Sequence, residues 1–307
     1  MSQLLEEIAE TLRRHDLRSL NTGREYKYCV DLIGIKGRKP LLTLKVEEDL
    51  SRCNRTSMNE LKDIGDFLKT CCMVVSEKYR NVTLAPGVFY KRYGIFAVNV
   101  ETLSALLRGE TLPFIYASQG GIYAKLDSKK IREAREERNM SLGDLAYEIG
   151  VSRRAVYEYE HGRMDASLDV AAKLEETLGE NVIMKVSLED VRSLCQSPKG
   201  PSKSPRDAVL YRLKETLEKL GFVTRAFTRL PFQLASYKGD SEKIVVKRVN
   251  RPDLEQKDNE LTLSIARISR AKAVFIADEG EEVEEQDYII VKKDRVNERL
   301  VENLLKN

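Results

Sequence analysis

One stretch decides how the middle of this chain folds: Met140-Ser141-Leu142-Gly143-Asp144-Leu145-Ala146-Tyr147-Glu148-Ile149-Gly150-Val151-Ser152-Arg153-Arg154-Ala155-Val156-Tyr157-Glu158-Tyr159-Glu160-His161-Gly162. Leu142, Leu145, Ala146 and Ile149 recur at helical spacing and make one apolar face, and Ser141 is placed to cap the helix start. Gly150 can take the left-handed conformation that stops a helix, and Ser152 can cap the next. Ala146 is small where two helices would cross closely. Val156 supplies the core contact of the second helix, which leaves Arg153, Arg154 and Tyr157 to face outward.

Two helices joined by so short a turn are the arrangement that lays a second helix in a DNA major groove. On these residues the stretch resembles the Xre/Cro-type helix-turn-helix regulators, in particular the archaeal type: the pattern S-L-x-D-L-A-x-x-x-G-V-S-x-x-x-V-x-x-x-E-x-G runs intact from Ser141 to Gly162. With helix candidates at Lys129–Asn139 and Leu168–Leu178, the resemblance implies an all-α, five-helix domain over 126–182 that binds double-stranded DNA. It puts Arg153 and Arg154 at the start of the recognition helix, where an arginine fork can pair with guanine O6 and N7. Tyr157, one turn on, can reach a thymine methyl or a phosphate. Ser141, Leu142 and the free N–H groups beside them suit a phosphate. Ser152 caps the reading helix, and His161 stands in the closing E-x-G. Lys129 and Lys130 open a basic helix continued by Arg132, Arg135 and Arg138, but Glu133, Glu136 and Glu137 dilute it. A solvated face of i,i+4 ion pairs is the alternative there.

Outward from this centre, residues 1–115 form a first region. Leu5, Ile8 and Leu12 mark an amphipathic helix, followed by strand-like runs at Tyr28–Ile35 and Leu41–Val46, a helix near Met58–Lys69, a strand at Cys72–Val75, a hairpin at Val88–Val98 and a helix at Glu101–Leu107. Gly120-Gly121 marks the first connection. A linker spans 193–206, where Ser197-Pro198-Lys199-Gly200-Pro201-Ser202-Lys203-Ser204-Pro205 holds three of the eight prolines. The last region, 207–307, repeats the order of the first: Glu215-Thr216-Leu217 answers Glu10-Thr11-Leu12, Asn259-Glu260-Leu261 answers Asn59-Glu60-Leu61, and a terminal helix follows Tyr288–Val291. The order predicts an internal duplication.

In the first repeat, Val30-Asp31-Leu32-Ile33-Gly34, a turn, and Leu42-Thr43-Leu44-Lys45-Val46 resemble the PD-(D/E)-x-K nuclease core, most of all its Holliday-junction-resolvase branch. The resemblance implies an Asp on one strand and an acid-x-Lys on the next, with carboxylates holding Mg²⁺ and the Lys stabilising charge at the phosphate. Asp31 and Lys45 are in place, but Thr43 stands where the second acid belongs. In the second repeat Gln233, Val245 and Lys247 occupy the three positions. The fold class expected is therefore α+β multidomain: a central all-α helix-turn-helix domain between two duplicated, restriction-endonuclease-like α/β domains that have lost their chemistry.

Composition narrows the rest. With 52 basic against 49 acidic residues, the chain shows no overall preference for nucleic acid, so a partner must be argued from local patches. Five cysteines at irregular spacing and two histidines, His15 and His161, offer no zinc-site pattern, so no metal or cofactor is expected. No apolar run approaches a membrane span and the start, Met1–Glu7, has no basic signal region, which points to the cytoplasm. The function expected is a sequence-specific transcriptional regulator, a homodimer on a palindromic operator, with the flanking domains pairing chains or sensing a signal. The alternative is a structure-selective or restriction-type nuclease targeted by the central domain.

Overall fold

The computed structural model describes residues 3–23, 28–118, 120–195, 203–251 and 253–296. The first unit opens with α1 (Gln3–Arg14), whose Leu4, Leu5, Ile8 and Leu12 form the buried stripe of an amphipathic helix. The strands β1 (Leu17–Asn21), β2 (Leu32–Lys36) and β3 (Lys39–Asp49) follow as an antiparallel meander. Then come α2 (Arg55–Leu68), β4 (Cys71–Tyr79), β5 (Val82–Thr83), β6 (Val88–Arg92), β7 (Ile95–Val98) and α3 (Val100–Leu107). The sheet order is β1-β2-β3-β4-β7-β6, with β3, β4 and β7 parallel. Those three strands are buried along nearly continuous apolar runs, as parallel strands covered by helices must be. The strand expected from Tyr28 begins only at Leu32, and Asp31 sits just ahead of it with its N–H donated to the Leu44 carbonyl at 2.9 Å.

Short strands β8 (Leu112–Pro113), β9 (Ile115–Ser118) and β10 (Gly121–Ala124) then carry the chain outward, β9 lying parallel beside β6. The central unit holds α4 (Ser128–Glu137), α5 (Leu142–Ile149), α6 (Arg153–Glu160), β11 (Ala166–Ser167) and α7 (Leu168–Leu178) around its own core, in which Leu145, Val156, Ala171 and Leu174 are fully buried. Two expectations are corrected here. The unit is not all-α, because β11 pairs with β10 and so extends the first sheet. Nor does 126–182 contain five helices: it has four. The next one, α8 (Leu188–Leu194), follows β12 (Lys185–Val186), which pairs back onto β8. Val186, Val191 and Cys195 insert into the core of the first unit, so the apolar side of this segment is covered by β4 and not by the helix-turn-helix. Cys195 thus belongs to a folded core, although 193–206 reads as linker; residues 196–202 of that linker lie outside the described residues. All five cysteines are buried free thiols.

The third unit comprises α9 (Ala208–Lys219), β13 (Val223–Ala226), β14 (Leu234–Lys238), β15 (Glu242–Val249), α10 (Lys257–Ser269), β16 (Lys272–Ala277), β17 (Val283–Glu284) and β18 (Tyr288–Lys292). Its order, β13-β14-β15-β16-β18-β17, repeats that of the first sheet strand for strand, with the same parallel and antiparallel senses. The terminal helix expected after β18 falls on 297–307, outside the described residues.

The two outer units touch each other directly and reciprocally: α2 packs on β14 while α10 packs on β3. Glu60, 2% exposed, accepts from the Thr228 N–H at 3.1 Å, the Thr228 hydroxyl at 2.7 Å and the Arg229 N–H at 2.8 Å. The Cys29 N–H donates to the Arg229 carbonyl at 2.8 Å, and the Tyr28 hydroxyl to Asp258 Oδ1 at 2.8 Å. A buried carboxylate with three donors has its desolvation offset by strong hydrogen bonds, which fixes one mutual orientation of the two units.

Candidate functional site

The helix pair at the centre is built by its caps. The Ser141 hydroxyl accepts from the Asp144 N–H at 3.1 Å, and the Asp144 carboxylate accepts from the Ser141 N–H at 2.8 Å, a complete capping box at the start of α5. Gly150, at φ 72°, ends α5 in the left-handed conformation. Ser152 then starts α6, its hydroxyl accepting from the Ala155 N–H at 3.1 Å. Val156 and Ala146 are buried between the helices.

Arg153, Arg154, Tyr157 and His161 lie exposed on the outer face of α6. The Arg154 side chain is 89% exposed and only loosely paired, its Nε 3.9 Å from Glu158. The Tyr157 and His161 rings stack at 3.9 Å between centroids, and His161 Nδ1 lies 2.7 Å from the Tyr157 carbonyl. Arg163 was not singled out in the sequence, yet its guanidinium stands 6.0 Å over the Tyr157 ring. The signal was its place just after Gly162, whose φ of 64° turns the chain back on α6.

At α5 the structure narrows the phosphate reading. Asp144 already places a carboxylate at the helix start, which leaves the N–H groups of Leu142 and Gly143 as the first-turn donors that helix geometry does not use. Leu142 packs its side chain against the central core. On α4, Lys129 pairs with Glu133 at 3.5 Å and Arg132 with Glu136 at 3.0 Å, while Lys130 is exposed. Arg135, grouped in the sequence with that basic row, faces the other way. Its Nε and Nη2 reach the two carboxylate oxygens of Glu160 at 2.5 and 3.1 Å, and Nη1 donates to the Met140 carbonyl at 2.8 Å. This pair is structural, and it explains the Glu of the E-x-G turn.

The second candidate site lies in the outer units. Asp31, 1% exposed, accepts from the Val46 N–H at 2.7 Å and pairs with Lys45 Nζ at 3.1 Å. Lys45 also donates to the Tyr28 carbonyl at 3.0 Å and lies 3.6 Å from Glu47. The Thr43 hydroxyl is 2.5 Å from that of Thr70. The same frame recurs in the third unit, where Gln233 Oε1 accepts from the Arg248 N–H at 2.8 Å and Gln233 donates its own N–H to the Val246 carbonyl. Gln233, Val245 and Lys247 are therefore the structural equivalents of Asp31, Thr43 and Lys45.

Lys247 Nζ is buried with no hydrogen-bond partner among the described residues, 3.9 Å from Asp258. Burial pulls its ammonium from the ordinary 10.5 down to about 8. Below about pH 8 the amine is charged in both folded and unfolded chain, and the full desolvation penalty stands; it is relieved as pH rises from about 8 to 10.5. Lys247→Met is expected to stabilise the chain by roughly 2–3 kcal/mol at pH 7. Urea unfolding at pH 7 and near pH 10.5 should show that gain shrinking at the higher pH.

A capped helix pair on a sheet of the nuclease-like order defines a helix-turn-helix protein joined to a PD-(D/E)XK-type fold. The comparisons agree: residues 1–112 match the PD-(D/E)XK superfamily domain and 131–182 the helix-turn-helix family. The chain is 31% identical over 254 residues to a protein of Haloarcula marismortui, covering 81% of this chain and 77% of that one. It is 32% identical over 264 residues to one of Methanocaldococcus jannaschii, covering 84% and 78%. A protein of Pyrococcus furiosus is 28% identical over 252 residues, covering 82% and 77%. All three are provisionally named HTH-type transcriptional regulatory proteins, and this chain belongs to that family. Among the described residues no helix is long and apolar enough to cross a membrane.

The PD-(D/E)XK fold implies a divalent cation, and the donors present do not fit one. Asp31 is occupied by Val46 and Lys45, Thr43 stands in place of the second acid, Glu47 lies past the lysine and pairs with it at 3.6 Å, and Gln233 and Val245 carry no charge. Among the described residues no three His, Cys, Asp or Glu side chains gather to hold a metal.

Proposed function

We propose that this chain is a sequence-specific transcriptional regulator that lays α6 in the major groove of double-stranded DNA. The observation that carries the reading is the outer face of α6: Arg153 and Arg154 exposed in the first turn after a Ser152 cap, with Val156 fixing the helix from behind. Ser152, Arg153, Arg154, Tyr157 and His161 face base edges and nearby phosphates; Ser141, Leu142, Lys129 and Lys130 hold the backbone. The units 1–115, 126–182 and 207–307 are the domain division proposed, with the linker read at 193–206 starting only after Cys195, which α8 carries into the first core. Selection of bound sequences from a random DNA pool by the full chain tests it. A palindromic motif with half-sites about one helical turn apart is expected; a pool that enriches nothing would refute the reading.

One chain carries one such helix pair, so a palindromic operator calls for a homodimer. The faces of α2 and α10 are already spent on β14 and β3 of the opposite unit, so a second copy would use exposed edges such as β1 or β13. The mass in solution at micromolar concentration should be twice that of the chain, and a monomer both with and without operator DNA would exclude this arrangement. The outer units would then serve chain pairing or reception of a signal.

No nuclease activity is proposed, on the donor set just described. Magnesium is expected to support no cleavage of plasmid or branched DNA. Thr43→Glu would restore the second acid opposite Asp31, and Lys45→Ala is the control. Cleavage by the natural chain that disappears in Lys45→Ala would make it an enzyme.

A further inference from the structure

A cleft of about 590 Å³ opens where the first unit, the third unit and α8 meet. The β2–β3 turn brings Lys36, Arg38 and Lys39 to its rim, α2 is capped there by Lys69, α10 is capped there by Arg270, and Lys243 reaches it from the first residues of β15. Arg192 of α8 closes the side, paired with Glu189. Among the described residues one carboxylate lines the space, Asp240, and it pairs with Lys69. Pro40, Leu41, Leu68 and Ile268 give an apolar floor.

Part of this charge has a structural cause. Lys69 and Arg270 hold equivalent left-handed caps, at φ 56° and 57°, where cations complement a helix C-terminus. That account does not reach Lys36, Arg38, Lys39 or Lys243, none of which forms an ion pair among the described residues. Nor is the cleft basic because the chain is, since 52 cations face 49 anions overall. Lys243 is half-buried and donates to the Phe67 carbonyl at 3.0 Å. Burial, then the like charges of Lys69 and Arg270, pull its ammonium below the ordinary lysine range. Cations held together against their own repulsion are stabilised by any anion that enters. A neighbouring cleft of about 520 Å³ shares Lys243 and Arg270 but also holds Glu242 and Asp287, the latter paired with Arg267 at 3.0 Å, so the excess of cations belongs to the first cleft. The volume is that of a small-molecule site.

We propose that this inter-unit cleft binds one small polyphosphate anion per chain, either a nucleoside polyphosphate or free polyphosphate. Its use as a signal rests on the regulatory role argued above, but binding itself does not.

The test is calorimetric titration of the full chain with tripolyphosphate and, separately, with ATP, at low and at high salt. Expected is one saturable site per chain that weakens with salt and weakens at least tenfold in Lys243→Gln with Arg270→Gln. The exposed pair Lys36→Gln with Lys39→Gln should lower affinity several-fold without touching a buried group, and Lys219→Gln on α9 should leave it unchanged. ATP binding tenfold tighter than tripolyphosphate assigns a nucleotide; equal affinities assign phosphate recognition alone. The proposal is overturned by no saturable binding of either probe up to millimolar concentration, or by affinity that both double variants leave intact. It is overturned equally if a short duplex lacking the operator displaces tripolyphosphate more tightly than ATP does, since the cleft is then a nucleic-acid surface. Operator binding, measured on the same samples, reports the helix-turn-helix reading independently.

Discussion

Arg135→Met is expected to destabilise the central unit by about 3–5 kcal/mol, the loss typical of breaking a buried ion pair from one side. The Arg135 and Glu160 side chains are 11% and 4% exposed. The guanidinium engages both carboxylate oxygens and the Met140 carbonyl, so it ties α4 to the end of α6 and to the turn before α5. Methionine fills much of the same space but leaves a carboxylate buried without a counter-charge. The double change Arg135→Met with Glu160→Leu removes both charges and should recover most of the stability, since an apolar pair often matches a buried ionic one. Calorimetric melting of the full chain, followed at the transition of the helical unit, separates these outcomes. Equal destabilisation by the single and double changes would mean that packing, not the uncompensated charge, sets the loss.

Arg135 also marks where sequence reading stops. Its neighbours in α4 are surface lysines and arginines, and nothing local separates it from them; its partner is 25 positions away and is identified only by the packing of α4 on α6. What the residues did declare were features set by local chemistry: the Ser141 and Ser152 caps, the Gly150 stop and the Val156 core contact are all in place. The repeat of the outer units was legible for a related reason, because strand runs and an Asn-Glu-Leu triplet recur in the same order, and the two sheets share strand order and sense; the triplet lies inside α2 and α10, though, and does not start them. β11 was not, since a two-residue strand has no period to detect. α8 was not legible either: the sequence reads as linker from 193, and the strand that covers Leu188, Val191 and Cys195 lies far back in the chain. Glu60 is the clearest case: a charged residue in a helix reads as solvated, and here it is buried against the backbone of the other unit.

The double change Arg153→Ala with Arg154→Ala should abolish discrimination between the selected operator and a scrambled duplex. Both arginines stand in the first turn of α6 after its Ser152 cap, exposed, while Val156 points back to the core. Neither takes part in the core of the unit, so its fold should survive their loss. Removing a bidentate arginine–guanine pair from one half-site costs about 1–3 kcal/mol. On a palindrome bound by two chains the penalty counts twice, roughly 2–6 kcal/mol, or up to about four orders of magnitude in affinity. Lys129→Ala or Lys130→Ala acts through phosphates, so it should weaken both duplexes alike and flatten the salt dependence by about one unit for each phosphate no longer neutralised. Titration of each variant on both duplexes at two salt concentrations distinguishes base reading from backbone holding. Should the double arginine variant still prefer the operator, α6 does not read the bases, and the exposed row of Arg153, Arg154, Tyr157 and His161 must serve another partner.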